Sequence, residues 1–460
     1  MSGGRGGREG DGTAALAAEA YVYGSPLVLA LSAVEACLQE GFGVLAPTPF
    51  NSFAHAVRPA VPADSVANAA VDTVDAIAQL DLSGGPVRLH VPDTGGAYYA
   101  LQFVDAWSGT FAYVGRRATG TDEGDWLIVP PGWSGTVPDV VTGVIDAPTS
   151  VVSLVGRIAC DGPEDMPRVR ALQQELTLTH LGAHAHRTGL PAPDSDVPEA
   201  LRFFERLRVW MADFPPAAAD RAYQDRFQPL GLLEEGVSPY VSAGPGLLRA
   251  LTQGLALGRA RVAQACRYRD DAREGADTAP GAWAMNPHLF DHNLDHFGVG
   301  TISSPEWRIP DREASYLVRA VAARQALWGP HGYEAVCAHT RSDSRGRRLS
   351  GAHSYALRLG RPPPVEAFWS MTVYDVGDHL VENVAGRYAI GDRTPGLVYA
   401  PDGSLTLYLS RQRPADPGRA ANWLPAPAGD FRAVMRLHTP EQAVLDGSYV
   451  IPAIGRLEDR

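Results

Sequence analysis

Apolar and polar residues alternate in short runs near both ends of the chain and recur at helical spacing between them. In "VRLHV", Val87, Leu89 and Val91 are set against Arg88 and His90, a period of two that predicts a strand. "PDTGG" supplies a turn, and "YYALQFVDAW", "DWLIVP" and "TSVVSLVGRIA" extend the strand pattern over about 85–160. From about 166 to 335 the period changes. "MPRVRALQQELTLTHLGAHAH", "EALRFFERLRVWMADF", "GPGLLRALTQGLALGRARVAQACRY" and "REASYLVRAVAARQALWG" all carry helical spacing. Residues 352–456 return to strands in "HSYALRLG", "EAFWSMTVYD", "SLTLYLSRQ" and "FRAVMRLHT", with "PDGS" as a turn. Ahead of these, residues 13–40 predict a helix interrupted near "YGSPL" by its proline.

The order β, α, β predicts an α+β, β-rich protein with two β-sandwich-like domains, of jelly-roll or immunoglobulin-like type, around a helical middle segment. The expected boundaries are a disordered tail over 1–12, an N-terminal helix with the first β domain over 13–165, helices over 166–345, and the second β domain over 346–460.

Composition removes several classes of function. The 460 residues are 45% hydrophobic and 20% charged, with a net charge of −12, and no basic stripe suggests nucleic-acid binding. There is no lysine at all, so Schiff-base chemistry, Ser–Lys nucleophiles and the P-loop lysine are excluded. Arginine remains for anions; it orients them but is a poor base. Cys37, Cys160, Cys266 and Cys337 form no CxxC, which fits a reduced compartment. The Gly/Arg-rich start shows no secretory h-region, and Gly24, Pro26 and Glu35 mark the apolar stretch from Ala20 to Leu38 as a core helix rather than a membrane span. The expectation is a soluble, cytoplasmic protein.

Larger blocks carry a resemblance. "LDLSGGPVRLHVPDTGGAYYALQFVDAW" and "GRRATGTDEGDWLIVPPGW" resemble the domain-of-unknown-function family 1254. "FWSMTVYD", "GRYAIGDRTPGL", "DGSLTLYL" and "NWLPAPAGDFRAVMRL" resemble its usual partner, family 1214. The resemblance implies two β-sandwich-like domains about a helical segment and implies no activity. This chain departs from the pattern at "AVDTVDAIAQLDL", where Asp75 stands in place of an expected tyrosine, and at "GAHSY", where His353 stands in place of a common asparagine. Residues 286–310 look like an insertion relative to it.

Three histidines four apart, in "NPHLFDHNLDHFG", pose the sharpest chemical question. Asn286 and Pro287 suit a helix start and Gly298 an end, so the segment predicts a helix buried through Phe290, Leu294 and Phe297, with His288, His292 and His296 opposite. Eight residues of helix rise about 12 Å, so the outer pair cannot share one metal ion. A solvated face is the plainer reading, a pocket wall the next, and a metal-dependent hydrolase using an adjacent pair the third. His180, His184 and His186 are read as a packed helix end.

Among the carboxylates, Asp72 reads as a cap or turn residue and Asp105 as a structural hydrogen-bonding residue. Asp75 reads as a candidate acid or base, because it sits in an apolar stretch. Arg387, Tyr388, Asp392 and Arg393 form the densest polar motif of the second β domain. An Asp–Arg pair there would lock a loop, while a free arginine would hold an anion. Trp107, Trp369 and Tyr374 are candidate pocket walls. No GxSxG, HExxH, Walker A or dinucleotide fingerprint occurs, so no cofactor is expected.

The leading expectation is a cofactor-independent enzyme, of hydrolase or lyase/cyclase type, on a small polar metabolite in specialised metabolism. It would work by acid–base chemistry: hydrolysis, elimination or intramolecular cyclisation. Asp75 and His353 would be catalytic, and Arg387, Tyr388, Trp107 and Tyr374 would bind substrate. The rival reading is a non-catalytic ligand-binding or scaffold protein. The partner expected is a small molecule, without nucleic acid or membrane, and with room for a homo-oligomer.

Overall fold

A computed structural model describes residues 5–182, 184–274 and 279–457. Its N-terminal helix, Arg5–Gln39, runs through Pro26 without the expected interruption and begins inside the stretch read as a tail. Proline removes the N–H that would reach the Val22 carbonyl, and the Ser25 hydroxyl lies 3.5 Å from that oxygen and donates to it instead. By length and composition this helix is apolar enough to cross a membrane, yet most of it is buried. It packs on helices Arg202–Asp213, Pro245–Glu274 and Arg312–Gln325. Close approach to the second of these depends on Gly254, where a Cβ would lie 2.6 Å from the Ala14 carbonyl oxygen.

The first β unit comprises β1 (Phe53–His55), β2 (Thr73–Asp81), β3 (Val87–Val91), β4 (Tyr99–Asp105), β5 (Thr110–Gly115), β6 (Gly124–Val129), β7 (Gly143–Asp146), β8 (Val151–Ala159) and β9 (Thr177–His180). They form two sheets, ordered β1-β2-β8-β4-β5 and β7-β6-β3-β9. Strand β9 and helix Met166–Glu175 together replace the single helix expected from "MPRVRALQQELTLTH". The Thr-Leu-Thr-His alternation pairs with the edge of β3 instead, and His180 lies in that strand.

Alternation gives the first sheet two unlike faces. Val74, Ala76, Ala78 and Leu80 share one core with Val87, Leu89 and Val91 of the second sheet. Asp75 and Gln79 point the other way, in register with Arg157 and Ser153. This polar face receives the helical segment: Arg157 Nη2 donates to the Trp328 carbonyl at 3.0 Å, and Gln102 Nε2 to that of Gly329 at 3.0 Å.

The second β unit comprises β10 (Ala284–Met285), β11 (Ala335–Thr340), β12 (Tyr355–Leu359), β13 (Val365–Asp375), β14 (Ala389–Gly391), β15 (Leu405–Ser410), β16 (Trp423–Pro425), β17 (Phe431–Pro440) and β18 (Gly455–Arg456). Its sheets are ordered β10-β11-β17-β13-β14 and β16-β15-β12-β18, and both contribute to one core around Trp369, Met371, Leu407 and Met435. The architecture is α+β, with two pairs of sheets and a helical layer. The units meet at a polar seam. Tyr98 donates to Glu334 at 3.0 Å, Arg117 pairs with the same carboxylate at 2.6 Å, and Ser370 donates to Asp72.

Candidate functional site

The histidine segment is not a helix. Residues 286–298 run as successive turns along the end of β5. Local side-chain bonds outcompete the helical ladder. Asn286 Oδ1 accepts the His288 N–H at 3.0 Å, and Asn293 Oδ1 accepts those of Asp295 and His296 at 3.2 and 3.1 Å. Asn293 Nδ2 then donates to the Thr110 carbonyl at 2.7 Å, and Gly298 N to that of Phe111 at 2.8 Å. The expected burial is reversed as well: Asp291, His292 and Asn293 are buried, while Phe290, Leu294 and Phe297 are only partly so.

His288 and His292 turn to different neighbours. His288 Nδ1 lies 2.7 Å from Asp291 and its ring packs on Trp307, while His292 Nε2 lies 2.9 Å from the Ser108 carbonyl. Among the described residues, no group of three or more His, Cys, Asp or Glu side chains is arranged to hold a metal ion, so the metal alternative has no ligand set.

What the segment does form is a wall. With the β4–β5 turn, residues 215–221 and Arg319 in the middle of helix Arg312–Gln325, it lines a cavity of about 240 Å³, bordered by Asp105, Trp107, Asp220, His292, His296 and Arg319. Asp105 ends β4 and organises the turn: its Oδ1 accepts the N–H groups of Trp107 and Gly109 at 2.9 and 2.7 Å. No described protein group bonds Oδ2, which is left open to the cavity. Burial raises the Asp105 pKa above the usual carboxylate value, while the Gly109 N–H, His296 and Arg319 pull it back.

Helical spacing places Arg312, Tyr316 and Arg319 on one face of their helix. Arg312 clamps Asp220 at 2.6 Å and Asp295 at 2.5 Å, and the Tyr316 hydroxyl donates to Asp220 at 2.9 Å. Arg319 is different. It is 9% exposed, its Nη2 makes one long bond of 3.4 Å to the Tyr23 carbonyl, and Nε has no partner. Its charge lies 5.4, 5.3 and 5.4 Å from the ring centres of Tyr23, Trp107 and Tyr316. No described carboxylate forms an ion pair with it. The Trp107 ring is held in turn by its Nε1–H on the Phe214 carbonyl at 3.0 Å.

The other nominated residues are dispersed. Asp75 is exposed at its surface, with its pKa raised by the desolvation around it and pulled back by Arg157. His353 lies in the other β unit, its Nδ1 2.6 Å from Arg456. The two are not brought together, and neither lines a cavity described here. Tyr374 is fully buried, and its hydroxyl donates to the Ala69 carbonyl at 2.7 Å while receiving Arg436 at 2.6 Å; it ties the seam rather than walling a pocket. Arg387 and Tyr388 line a second cavity, of about 470 Å³, between the β units. Asp392 and Arg393 do not lock a loop by pairing with each other: Arg393 pairs with Asp161 at 2.9 Å, and Asp392 accepts the Trp369 N–H at 3.2 Å. Asp72 lies buried at the seam. Burial alone would raise its pKa, but His438, Arg436 and Ser370 outweigh it and hold the carboxyl well below the usual range. Arg319, Arg312 and Asp220 escaped the sequence reading. The polar positions at i, i+4 and i+7 in "REASYLVR" were the available signal for the two arginines.

Two pairs of sheets joined through a helical layer, with a small ionisable cavity at a strand turn, define an α+β protein of two linked β units. The chain belongs to the paired families described as Protein of unknown function (DUF1254), matched over residues 50–180, and Protein of unknown function (DUF1214), matched over 334–442. Among solved structures it is similar to the VPA0106 protein from Vibrio parahaemolyticus, with 23% identity and a TM-score of 0.74 over 97% of this chain and 100% of that one. That likeness shows a shared fold. An uncharacterized protein from Burkholderia cenocepacia aligns at 12% identity and a TM-score of 0.45, over 99% of this chain and 97% of that one. No curated protein matches the chain.

Proposed function

We propose that the chain is an enzyme that acts on a small, anionic, polar metabolite by acid–base chemistry in the cavity at the β4–β5 turn. The observation that carries this reading is the convergence of Asp105, His296 and Arg319 on one cavity, with the buried Arg319 Nε lacking any hydrogen-bond partner. Arg319 holds the substrate's carboxylate or similar anion, since no described carboxylate forms an ion pair with it. Asp105 and His296 exchange a proton with the substrate, one taking it and the other returning one, in a hydrolysis, elimination or ring closure. The volume of about 240 Å³ lies below the range of about 300–1,000 Å³ common for drug-sized ligands and favours a small metabolite. Specialised metabolism and the cytoplasm remain the proposed setting, the latter supported by Cys37, Cys160 and Cys337, which form no disulfide among the described residues.

Asp105→Asn provides the test, because its amide oxygen keeps the two turn bonds while the titrating group is lost. A metabolite extract is incubated with each protein and followed by mass spectrometry. Consumption of an acidic species by the wild type alone, with unchanged circular dichroism in the variant, is the expected result. Identical profiles would remove catalysis from this cavity. If small acids then protected the wild type but not Arg319→Met from heat, the binding-protein reading would stand in its place.

A further inference from the structure

The larger cavity lies at the seam, away from the acid–base site. The loop from Arg58 to Val61, the segment Val71–Asp72 before β2, residues 160–163 after β8, Trp369 and Ser370 in β13, and residues 385–395 around β14 enclose about 470 Å³. Its walls are tied across the seam. Arg393 Nη1 pairs with Asp161 at 2.9 Å, its Nη2 donates to the Asp72 carbonyl at 2.8 Å, and its guanidinium covers the Phe368 ring at 3.5 Å. Pro59, Ala60, Val61 and Val71 give the cavity its apolar side, while Trp369 and Ile390 back it from the core of the second β unit.

The three arginines of the lining differ in charge balance. Arg58 is bound by both oxygens of Asp64, at 2.8 and 2.6 Å, and Arg393 by Asp161. Arg387 spends Nη1 on two backbone carbonyls, those of Ala421 at 3.1 Å and Trp423 at 2.9 Å. No carboxylate among the described residues pairs with it, and neither Nε nor Nη2 is sealed away from solvent. Burial, and then nearby Arg413, disfavour its charged form, as expected of a cation lacking a counter-ion. Asn383 fixes the loop that presents it, accepting the Ala385 and Arg387 N–H groups at 3.2 Å each.

We infer that this seam cavity is a second ligand site, which takes a monocarboxylate with an apolar body, the carboxylate on Arg387 and the body against Pro59, Val61 and Val71. An uncompensated guanidinium at one side of a largely apolar space selects one negative charge and an uncharged remainder. The inference is independent of the acid–base site.

Binding of 4-phenylbutyrate to the full chain, by titration calorimetry, tests it. The matched alcohol, 4-phenylbutan-1-ol, and the matched amine serve as controls. The acid should bind with one-to-one stoichiometry, and alcohol and amine at least about tenfold more weakly, as loss of a charge-assisted hydrogen bond implies. Arg387→Gln should weaken the acid by a similar factor, and Arg387→Lys by less. Val61→Trp, which fills the cavity without touching Arg387, should abolish binding. No binding by the wild type, equal binding of acid and alcohol, or undiminished affinity in folded Arg387→Gln or Val61→Trp overturns the proposal.

Discussion

Asp291→Asn should stabilise the protein at neutral pH while leaving it nearly unchanged near pH 4. The Asp291 side chain is 2% exposed; Oδ2 lies 2.7 Å from His288 Nδ1, and Oδ1 is buried with no hydrogen-bond partner. Burial pushes its pKa from 3.8 up to about 6, with His288 only partly offsetting that. An acid that holds its proton more tightly when folded than when unfolded gives stability that is complete below its unfolded value. That stability is lost as pH rises through the folded value. The window therefore runs from about pH 4 to about pH 6. Two pH units at about 1.4 kcal/mol each come to about 3 kcal/mol. Asparagine carries no charge and has no such slope. An unfolding entropy of about 2 cal/mol/K per residue over 460 residues converts this to about 3 °C in melting temperature, if the chain unfolds cooperatively. Thermal unfolding of both proteins in buffers from pH 4 to 7.5 measures the difference directly, and groups common to both cancel. Parallel profiles, or a wild type that gains on the variant as pH rises, would refute the reasoning.

Two further substitutions probe the frame of the site. Arg312→Met leaves Asp220, whose side chain is 4% exposed, without its cation. Because the Arg312 side chain is 31% exposed and solvent screens it, the loss should be about 2 kcal/mol rather than the 3–5 of a fully buried pair. Denaturant titration at neutral pH should show that loss as a lower midpoint with an unchanged slope, and an unchanged midpoint would refute it. Gly254→Val forces the N-terminal helix away from its partner and should cost at least about 1–3 kcal/mol, read as a lower melting temperature. A neutral effect would mean that the helices do not cross so closely.

The architecture was legible because burial imposes its period on sequence. Val87, Leu89 and Val91 alternate since one face of β3 meets a core, and the helices of the middle segment show the wider repeat for the same reason. Local chemistry defeated the pattern in three places. Ser25 repaired the Pro26 break, Thr177–His180 found a strand edge, and the asparagines at 286 and 293 bonded backbone groups that a helix would have used. None of these outcomes depends on hydrophobic periodicity.

The candidate site was less legible, since its parts come from separated stretches that only the fold assembles. Asp105 was read as a structural residue, and it is one: its Oδ1 holds the β4–β5 turn. The same bonds fix where Oδ2 points. A carboxyl locked by two backbone donors loses little orientational freedom when a ligand arrives, which is the preorganisation that acid–base catalysis requires. His292 and Asn293 extend that rigidity to the opposite wall, gripping the carbonyls of Ser108 and Thr110, so His296 is carried by a segment pinned to the same turn. Arg319 supplies what the turn lacks. Burying a guanidinium against three aromatic rings without a carboxylate costs folding free energy that the rings offset only in part, at about 0.5–2 kcal/mol each. An anion in the cavity would meet that residual cost. The opening histidine motif thus matters less for its imidazoles as a set than for the turns that bring one of them opposite Asp105.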